Sequence, residues 1–259
     1  MTDSVLVQRD GAIATVTLNR PQKLNALNHA TWLTLRDVMR ELDADDALRC
    51  IVLRGAGGKA FAAGADISEF AEHRKNVAEA KRYGQAEHDG VMSVAECLHP
   101  TVALIQGACV GGGLEIASAC DIRIAGRSSR FGVPINRLGL TMAYPELQLF
   151  VATFGRVAAL ELLLEGGVVD AERAAALGLV NRVVADDQVE AEAYAAARRI
   201  TGGAPLVNRW HKKFMRRLLN PKPLTKAELD EAFAAFGTRD YQTGFRAFLE
   251  KRTPDFEGR

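Results

Sequence analysis

The sequence predicts an α/β protein in which strands and helices alternate through an N-terminal core, 1–200, and give way to a helical C-terminal region, 201–259. Three observations predict it. Apolar runs rich in β-branched residues at 12–18, 50–54, 101–106 and 122–125 are separated by segments with helical spacing, the alternation that yields parallel strands joined by crossovers. Beyond Pro145 the strand signals fade, and helices are expected at 145–154, 157–165, 171–177, 188–202, 205–219 and 225–251, with one short strand at 180–184. A hydrophobic content of 48% over 259 residues supplies ample apolar surface for a core.

Taken in order, residues 5–9 and 12–18 alternate or run apolar around Asp10-Gly11, a strong hairpin signal. Arg20-Pro21 breaks the second strand. Asn28 is suited to cap a helix reaching about Leu42, with Trp32, Leu35, Val38, Met39 and Leu42 at helical spacing and Arg36, Asp37, Arg40, Glu41 and Asp43 on a solvated face. Residues 66–98 read as helix-rich and highly charged, with Gly84 and Gly90 as candidate breaks. His73, His88 and His99 share no metal-ligand spacing and read as surface or packing residues.

Two glycine-bearing stretches carry the chemistry. Gly107-Ala-Cys-Val-Gly-Gly-Gly113-Leu-Glu115 follows a buried strand and opens a helix. Glycines there let a ligand approach the free N–H groups of the first turn, with the positive end of the helix dipole behind them. Neither Gly-x-Gly-x-x-Gly nor a following Gly-Lys-Ser/Thr is present, which argues against dinucleotide and P-loop readings. Lys59-Ala-Phe-Ala-Ala-Gly64-Ala65-Asp66-Ile67 likewise follows a strand and precedes a helix, so the two stretches could supply the paired donors of an oxyanion hole. Glu115, on the first helical turn, could face the same ligand.

Composition narrows the function classes. With 33 basic and 32 acidic residues and a net charge of +1, the chain carries no field that would draw nucleic acid or an anionic membrane. Cys50, Cys97, Cys109 and Cys120 show no CxxC spacing and read as free core thiols; no metal site is expected. The N-terminus lacks a signal-peptide pattern and no apolar run reaches the roughly eighteen residues of a membrane span, so a cytoplasmic location is expected.

With both stretches in hand the chain resembles the crotonase (enoyl-CoA hydratase/isomerase) superfamily over nearly its whole length. Asn19-Arg-Pro-Gln-Lys-Leu-Asn-Ala-Leu27 is similar to the family's adenosine-side loop, and 59–67 and 107–121 to its two oxyanion segments. Phe131-Gly-Val-Pro134, Ala175-Ala-Leu-Gly-Leu-Val-Asn181 and Phe248-Leu-Glu-Lys-Arg252 match later blocks in the same order. The resemblance implies a crotonase-like (ClpP/crotonase) spiral of ββα units with a C-terminal helical trimerisation region, hence a homotrimer or dimer of trimers. It implies an acyl-CoA substrate, coenzyme A being part of that thioester, and no separate cofactor.

Carried over residue by residue, it places the oxyanion donors on the backbone N–H groups of Ala65 and Gly112, where enolate charge on the thioester oxygen would be held. Loss of one such donor typically costs about 3 kcal/mol of transition-state stabilisation. The coenzyme A contacts it implies are Lys23, Leu24, Ala26, Lys59, Ala63, Ala65, Asp66, Ile67 and Gly112, with Lys251 reaching a neighbouring subunit. Ser68 stands where many relatives carry a further lysine.

The acid/base residues depart from the pattern. Family hydratases hold water between two glutamates; the first matches Glu115, but the second position is Ile135, which can neither bind nor activate water. A carboxylate used by several isomerases aligns with Ala143. Nearby stand Asn136, Tyr144, matching a loop tyrosine of some superfamily decarboxylases, and Glu146, which reads equally as a dipole-favoured surface carboxylate. One carboxylate suffices to shuttle a proton between two carbons of an enolate but not readily to position water as well. Glu115 is therefore expected to be the principal acid or base, in an isomerase or hydratase-like lyase with weak crotonyl-CoA hydration. Carbon–carbon cleavage and a catalytically poor acyl-CoA binder stay open as alternatives. RNA binding through residues 30–46, as in one superfamily branch, is disfavoured by five acidic residues and no lysine there.

Overall fold

A computed structural model describes residues 3–259. Strands β1 (Val5–Asp10) and β2 (Ile13–Leu18) form the expected antiparallel hairpin, closed by Gly11 at φ 56°. Helix α1 (His29–Asp43) starts where expected, because the Asn28 side chain accepts from the Thr31 N–H, and it buries Trp32, Leu35, Met39 and Leu42.

Three strand pairs then repeat. β3 (Cys50–Gly55) and β4 (Ala60–Ala62) lead into α2 (Phe70–His73) and α3 (Val77–Glu96). β5 (Thr101–Ile105) and β6 (Ala108–Val110) lead into α4 (Gly112–Ala119), and β7 (Ile122–Gly126) and β8 (Arg130–Gly132) into α5 (Tyr144–Glu165). Each pair sends one strand to each of two sheets. β9 (Val168–Asp170), α6 (Ala171–Ala176) and β10 (Arg182–Val184) complete them, giving a six-stranded sheet β1-β2-β3-β5-β7-β10 and a four-stranded sheet β4-β6-β8-β9. From β2 through β10 the larger sheet is parallel, and β4, β6 and β8 are parallel as well. This is the spiral of ββα units that the resemblance implied.

The two faces of the larger sheet divide the core by strand alternation. Ile51 and Leu53 join the main cluster with Leu27, Trp32 and Leu114, while Cys50, Val52, Val102 and Leu104 pack against Val189, Ala193, Ala196 and Ala197 of α7 (Val189–Thr201). All four cysteines are buried and free, and burial pushes the thiols of Cys50, Cys97 and Cys120 up to about 12. Helices α8 (Pro205–Arg217), α9 (Lys226–Glu231) and α10 (Arg239–Leu249) follow; Lys212 ties α8 to the core through Asp121 at 2.9 Å.

Several expectations need correcting. Gly84 and Gly90 do not break α3, and Gly90 instead gives Trp32 room, since a Cβ there would lie 2.8 Å from its ring. The expected helix at 225–251 is divided, with a 3-10 turn at Ala234–Gly237 between α9 and α10. β9 was not foreseen, because three residues carry too short a pattern. Helix α5 is long and apolar enough by length and composition to cross a membrane, contrary to the expectation that no segment is; it is interrupted at Gly155 (φ 81°) and packs Phe150, Phe154, Ala158 and Leu162 into the core.

Candidate active site

Neighbouring parallel strands bring the two glycine stretches together. β4 and β6 run side by side, and each chain leaves its strand at the same end of the sheet, β4 into 63–66 and β6 into the N-terminus of α4. Gly64 (φ 101°) and Gly111 (φ 52°) meet there; a Cβ built on Gly111 would lie 3.5 Å from the Gly64 Cα. A Cβ on Gly64 would lie 3.1 Å from the Val110 carbonyl, and both positions adopt a positive φ that residues with side chains rarely take.

Among the described residues, neither candidate donor amide is engaged by a backbone acceptor. In the parallel bridge between Leu27 and Ala65, Leu27 bonds the Gly64 carbonyl (2.8 Å) and the Asp66 N–H (2.9 Å), which turns the N–H of Ala65 itself to the opposite side. Gly112 is the first residue of α4, so its N–H has no intrahelical acceptor. Both amides are thus free of backbone acceptors, on segments that meet at Gly64 and Gly111 beside the positive end of a helix.

Around the first turn of α4 lie three carboxyl groups. Glu115 on α4 is 6% exposed, and its Oε2 is enclosed with no hydrogen-bond partner among the described residues. Its side-chain hydrogen-bonding neighbour is the carboxyl of Glu87 on α3, which in turn accepts from Arg74 Nη2 at 2.9 Å. Glu146, on the first turn of α5, is also 6% exposed and lies 2.7 Å from His88 Nδ1 through its Oε1. The surface reading of Glu146 is overturned.

Burial, then the negative charges of Glu87 and Glu146, raise the Glu115 pKa well above the ordinary carboxylate range. Glu87 is raised by burial too, opposed by Arg74. A carboxyl held in protonated form next to uncommitted amides can give or take a proton at a carbon beside a developing oxyanion.

Glu87 is absent from the residues singled out in the sequence, yet a signal for it exists there. It lies on the stripe of α3 formed by Tyr83, Ala86, Gly90, Val91 and Val94, all buried, where a charged residue is out of place.

The other residues expected from the sequence separate into those near this cluster and those far from it. Lys23, Leu24 and Ala26 form one loop with 63–67: the Ala63 N–H donates to the Leu24 carbonyl (3.0 Å), Arg20 reaches both the Ala26 carbonyl (2.6 Å) and Asp66 Oδ2 (2.8 Å), and Lys23 Nζ stands 4.0 Å from Asp66 Oδ1. The Ser68 hydroxyl bonds Asp66 Oδ1 at 2.6 Å, and that bond, with the Arg20 pair, holds Asp66 below the usual carboxylate range. Ile67 and Lys59 are exposed at the edge of this loop. Lys251 (φ 54°) is exposed beyond α10. Tyr144 is 89% exposed and stands outside the carboxyl cluster, and Ile135 is packed against the main core cluster.

A hollow of about 910 Å³ between α3, α5 and α8 is lined by Met92, Leu149, Ala152, Met215 and Leu219 among others, and Glu115 does not line it. Of the enclosed side-chain atoms without a hydrogen-bond partner among the described residues, the one carboxyl oxygen, Glu115 Oε2, sits in the carboxyl cluster, which is therefore the candidate site. Among the described residues no group of three or more His, Cys, Asp or Glu side chains is arranged to hold a metal ion.

Known proteins match this chain in sequence and fold. The family profile described as enoyl-CoA hydratase/isomerase matches residues 8–259. The chain is 34% identical to a short-chain-enoyl-CoA hydratase of Clostridium acetobutylicum, over 96% of each chain. It is 31% identical to a crotonyl-CoA hydratase of Syntrophomonas wolfei, over 98% of each. A crystal structure described as an enoyl-CoA hydratase/carnithine racemase from Magnetospirillum magneticum superposes with a TM-score of 0.98 at 50% identity, covering 100% of this chain and 97% of that one.

Proposed function

The chain belongs to the enoyl-CoA hydratase/isomerase family, enzymes that act on acyl-CoA thioesters, and from that premise we propose that this member moves a proton between carbons of an enoyl thioester, as an isomerase does. The thioester oxygen sits against the Ala65 and Gly112 N–H groups, and Glu115 is the principal acid/base. One observation carries the reading: a carboxyl with one enclosed, partnerless oxygen stands on the first turn of α4, while the position of the second hydratase glutamate holds the core-packed Ile135.

A second reading, hydration or its reverse, is favoured by the buried Glu146, whose carboxyl could take the water-holding role from a different helix. Crotonyl-CoA incubated in deuterium oxide and read by mass spectrometry separates them. Isomerase chemistry incorporates deuterium at the α or γ carbon without net water addition; hydration adds the mass of water. Incorporation that survives Glu115→Gln would defeat the assignment of Glu115.

The loop of Lys23, Leu24, Ala26, Ala63, Asp66 and Ile67 is the proposed seat of the coenzyme A moiety, with Lys59 and Lys251 as phosphate partners. A cytoplasmic homotrimer or dimer of trimers is part of this proposal, supported by the exposed apolar residues Val157 (79%), Leu164 (71%) and Phe248 (82%). Light scattering in solution tests it.

A further inference from the structure

Two carboxyl groups hydrogen-bond to one another only when a proton lies between them. Glu115 and Glu87 stand on the packed helices α4 and α3, placed to form such a pair, and among the described residues no donor reaches the enclosed Oε2 of Glu115. On the far side of Glu87, the Arg74 guanidinium donates to Oε2 at 2.9 Å and is itself held over the rings of Phe70 (4.4 Å) and Tyr83 (4.3 Å). A guanidinium keeps its charge and favours an ionised partner. The arrangement is therefore directional: cation, carboxylate, carboxylic acid, substrate space.

We propose that Glu87 is a positioning residue for the reaction, sharing a single proton with Glu115 so that the pair, rather than Glu115 alone, acts as the base. This rests on the reading of Glu115 as the acid/base residue. In the step, the substrate-facing oxygen of Glu115 takes the α-proton as the C–H bond breaks and its electron pair enters the thioester enolate. The other oxygen of Glu115 releases the shared proton to Glu87. Glu115 stays neutral throughout, and the one negative charge moves from Glu87 to the enolate oxygen. Reversal at the γ carbon returns both protons.

The relay answers a difficulty that burial creates. A lone carboxylate at 6% exposure, with no donor on it, would be costly to ionise. With the charge one residue further out, on a carboxylate that Arg74 pairs, that cost is reduced. The charged and titratable groups facing the pair are Arg74 beyond α2, Tyr83 and His88 on α3, and Glu146 on α5.

The test uses the full-length protein and four forms: wild type, Glu115→Gln, Glu87→Gln and Glu87→Asp, each checked for native near-UV circular dichroism. Infrared spectra at neutral pH read the protonated-carboxyl stretch; deuterium incorporation into crotonyl-CoA reads the chemistry. The expected result is a protonated-carboxyl band in wild type that disappears in Glu115→Gln, persists at a shifted frequency in Glu87→Gln, where the buried Glu115 keeps its proton but has lost its carboxylate partner, and returns to the wild-type position in Glu87→Asp. In Glu87→Gln, kcat falls about tenfold to a hundredfold with KM little changed. Its acid limb moves to higher pH, because a Glu115 without the relay must ionise before it can act.

A band left unshifted in Glu87→Gln, or one absent from wild type, overturns the shared proton. An acid limb that moves to lower pH overturns the relay, since Glu87 would then only repel an ionised Glu115. Undiminished exchange in Glu115→Gln would instead defeat the proposed role of Glu115 and leave the infrared result to stand by itself.

Discussion

The Nδ1 of His88 on α3 lies 2.7 Å from Oε1 of Glu146 on α5, closing one side of the cluster whose other side is the Glu87–Arg74 pair. Helices α3 and α5 thereby turn the carboxyl groups of Glu87 and Glu146 toward Glu115 on the first turn of α4. Glu146→Gln removes a charge that raises the pKa of both Glu87 and Glu115, so the acid limb of the pH–rate profile moves to lower pH. Glu146→Ala also leaves His88 without its partner and costs on the order of 1–3 kcal/mol of stability, measured by urea denaturation.

The backbone donors are tested through the residues that let them approach. A Cβ on Gly113 would lie 2.3 Å from the Ala62 carbonyl, and one on Gly112 would lie 2.9 Å from the Trp32 ring. Alanine at either position displaces the start of α4 from the 63–66 segment. Exchange into crotonyl-CoA falls by about a hundredfold, with a stability loss of about 1–3 kcal/mol for Gly113→Ala. An unchanged exchange rate in Gly112→Ala would put the oxyanion site elsewhere.

Ile135→Glu restores a carboxylate at the position where family hydratases have their second. Net hydration of crotonyl-CoA rises at least about tenfold over wild type, read as water addition by mass spectrometry, on the general scale of a positioned acid/base group. Ile135 packs against the core, so the variant is less stable than wild type. Wild-type hydration as fast as in the variant would mean that Glu146 or Glu87 already fills the role.

Asn25 organises the loop assigned to coenzyme A. Its side chain accepts from the Arg20 N–H (3.0 Å) and donates to the carbonyls of Ala56 (3.0 Å) and Ala60 (2.8 Å), while its backbone sits at φ 57°, a conformation asparagine tolerates better than most residues. Asn25→Ala loses these bonds and is strained. The expected effect is a stability loss of about 2 kcal/mol and a raised KM for acyl-CoA with a smaller change in kcat.

The pH dependence of stability follows from the sign of the Glu115 shift. Its folded-state pKa lies above the unfolded value, so the native chain binds the extra proton. The stabilisation is fully present below the ordinary carboxylate pKa and is lost as pH rises toward the folded-state value, at about 1.4 kcal/mol per pH unit for one proton. Urea midpoints taken across that window fall with pH in wild type and stay flatter in Glu115→Gln.

Local signals in the sequence were sufficient for the hairpin at Asp10-Gly11, the Asn28 cap, the buried strands and both glycine stretches, because each rests on residues within a few positions of one another. The same is true of the family resemblance and of the missing second glutamate at Ile135. Tertiary packing decided the acid/base cluster. Glu87, Glu115 and Glu146 are distant in the chain; Glu146 carries no local mark that separates it from a solvated charge at a helix start, and the mark on Glu87 is only its place on an apolar stripe. The seating of α3 and α5 against α4 is what takes them out of water, and for Glu115 and Glu87 removal from water raises the carboxyl above the ordinary carboxylate range.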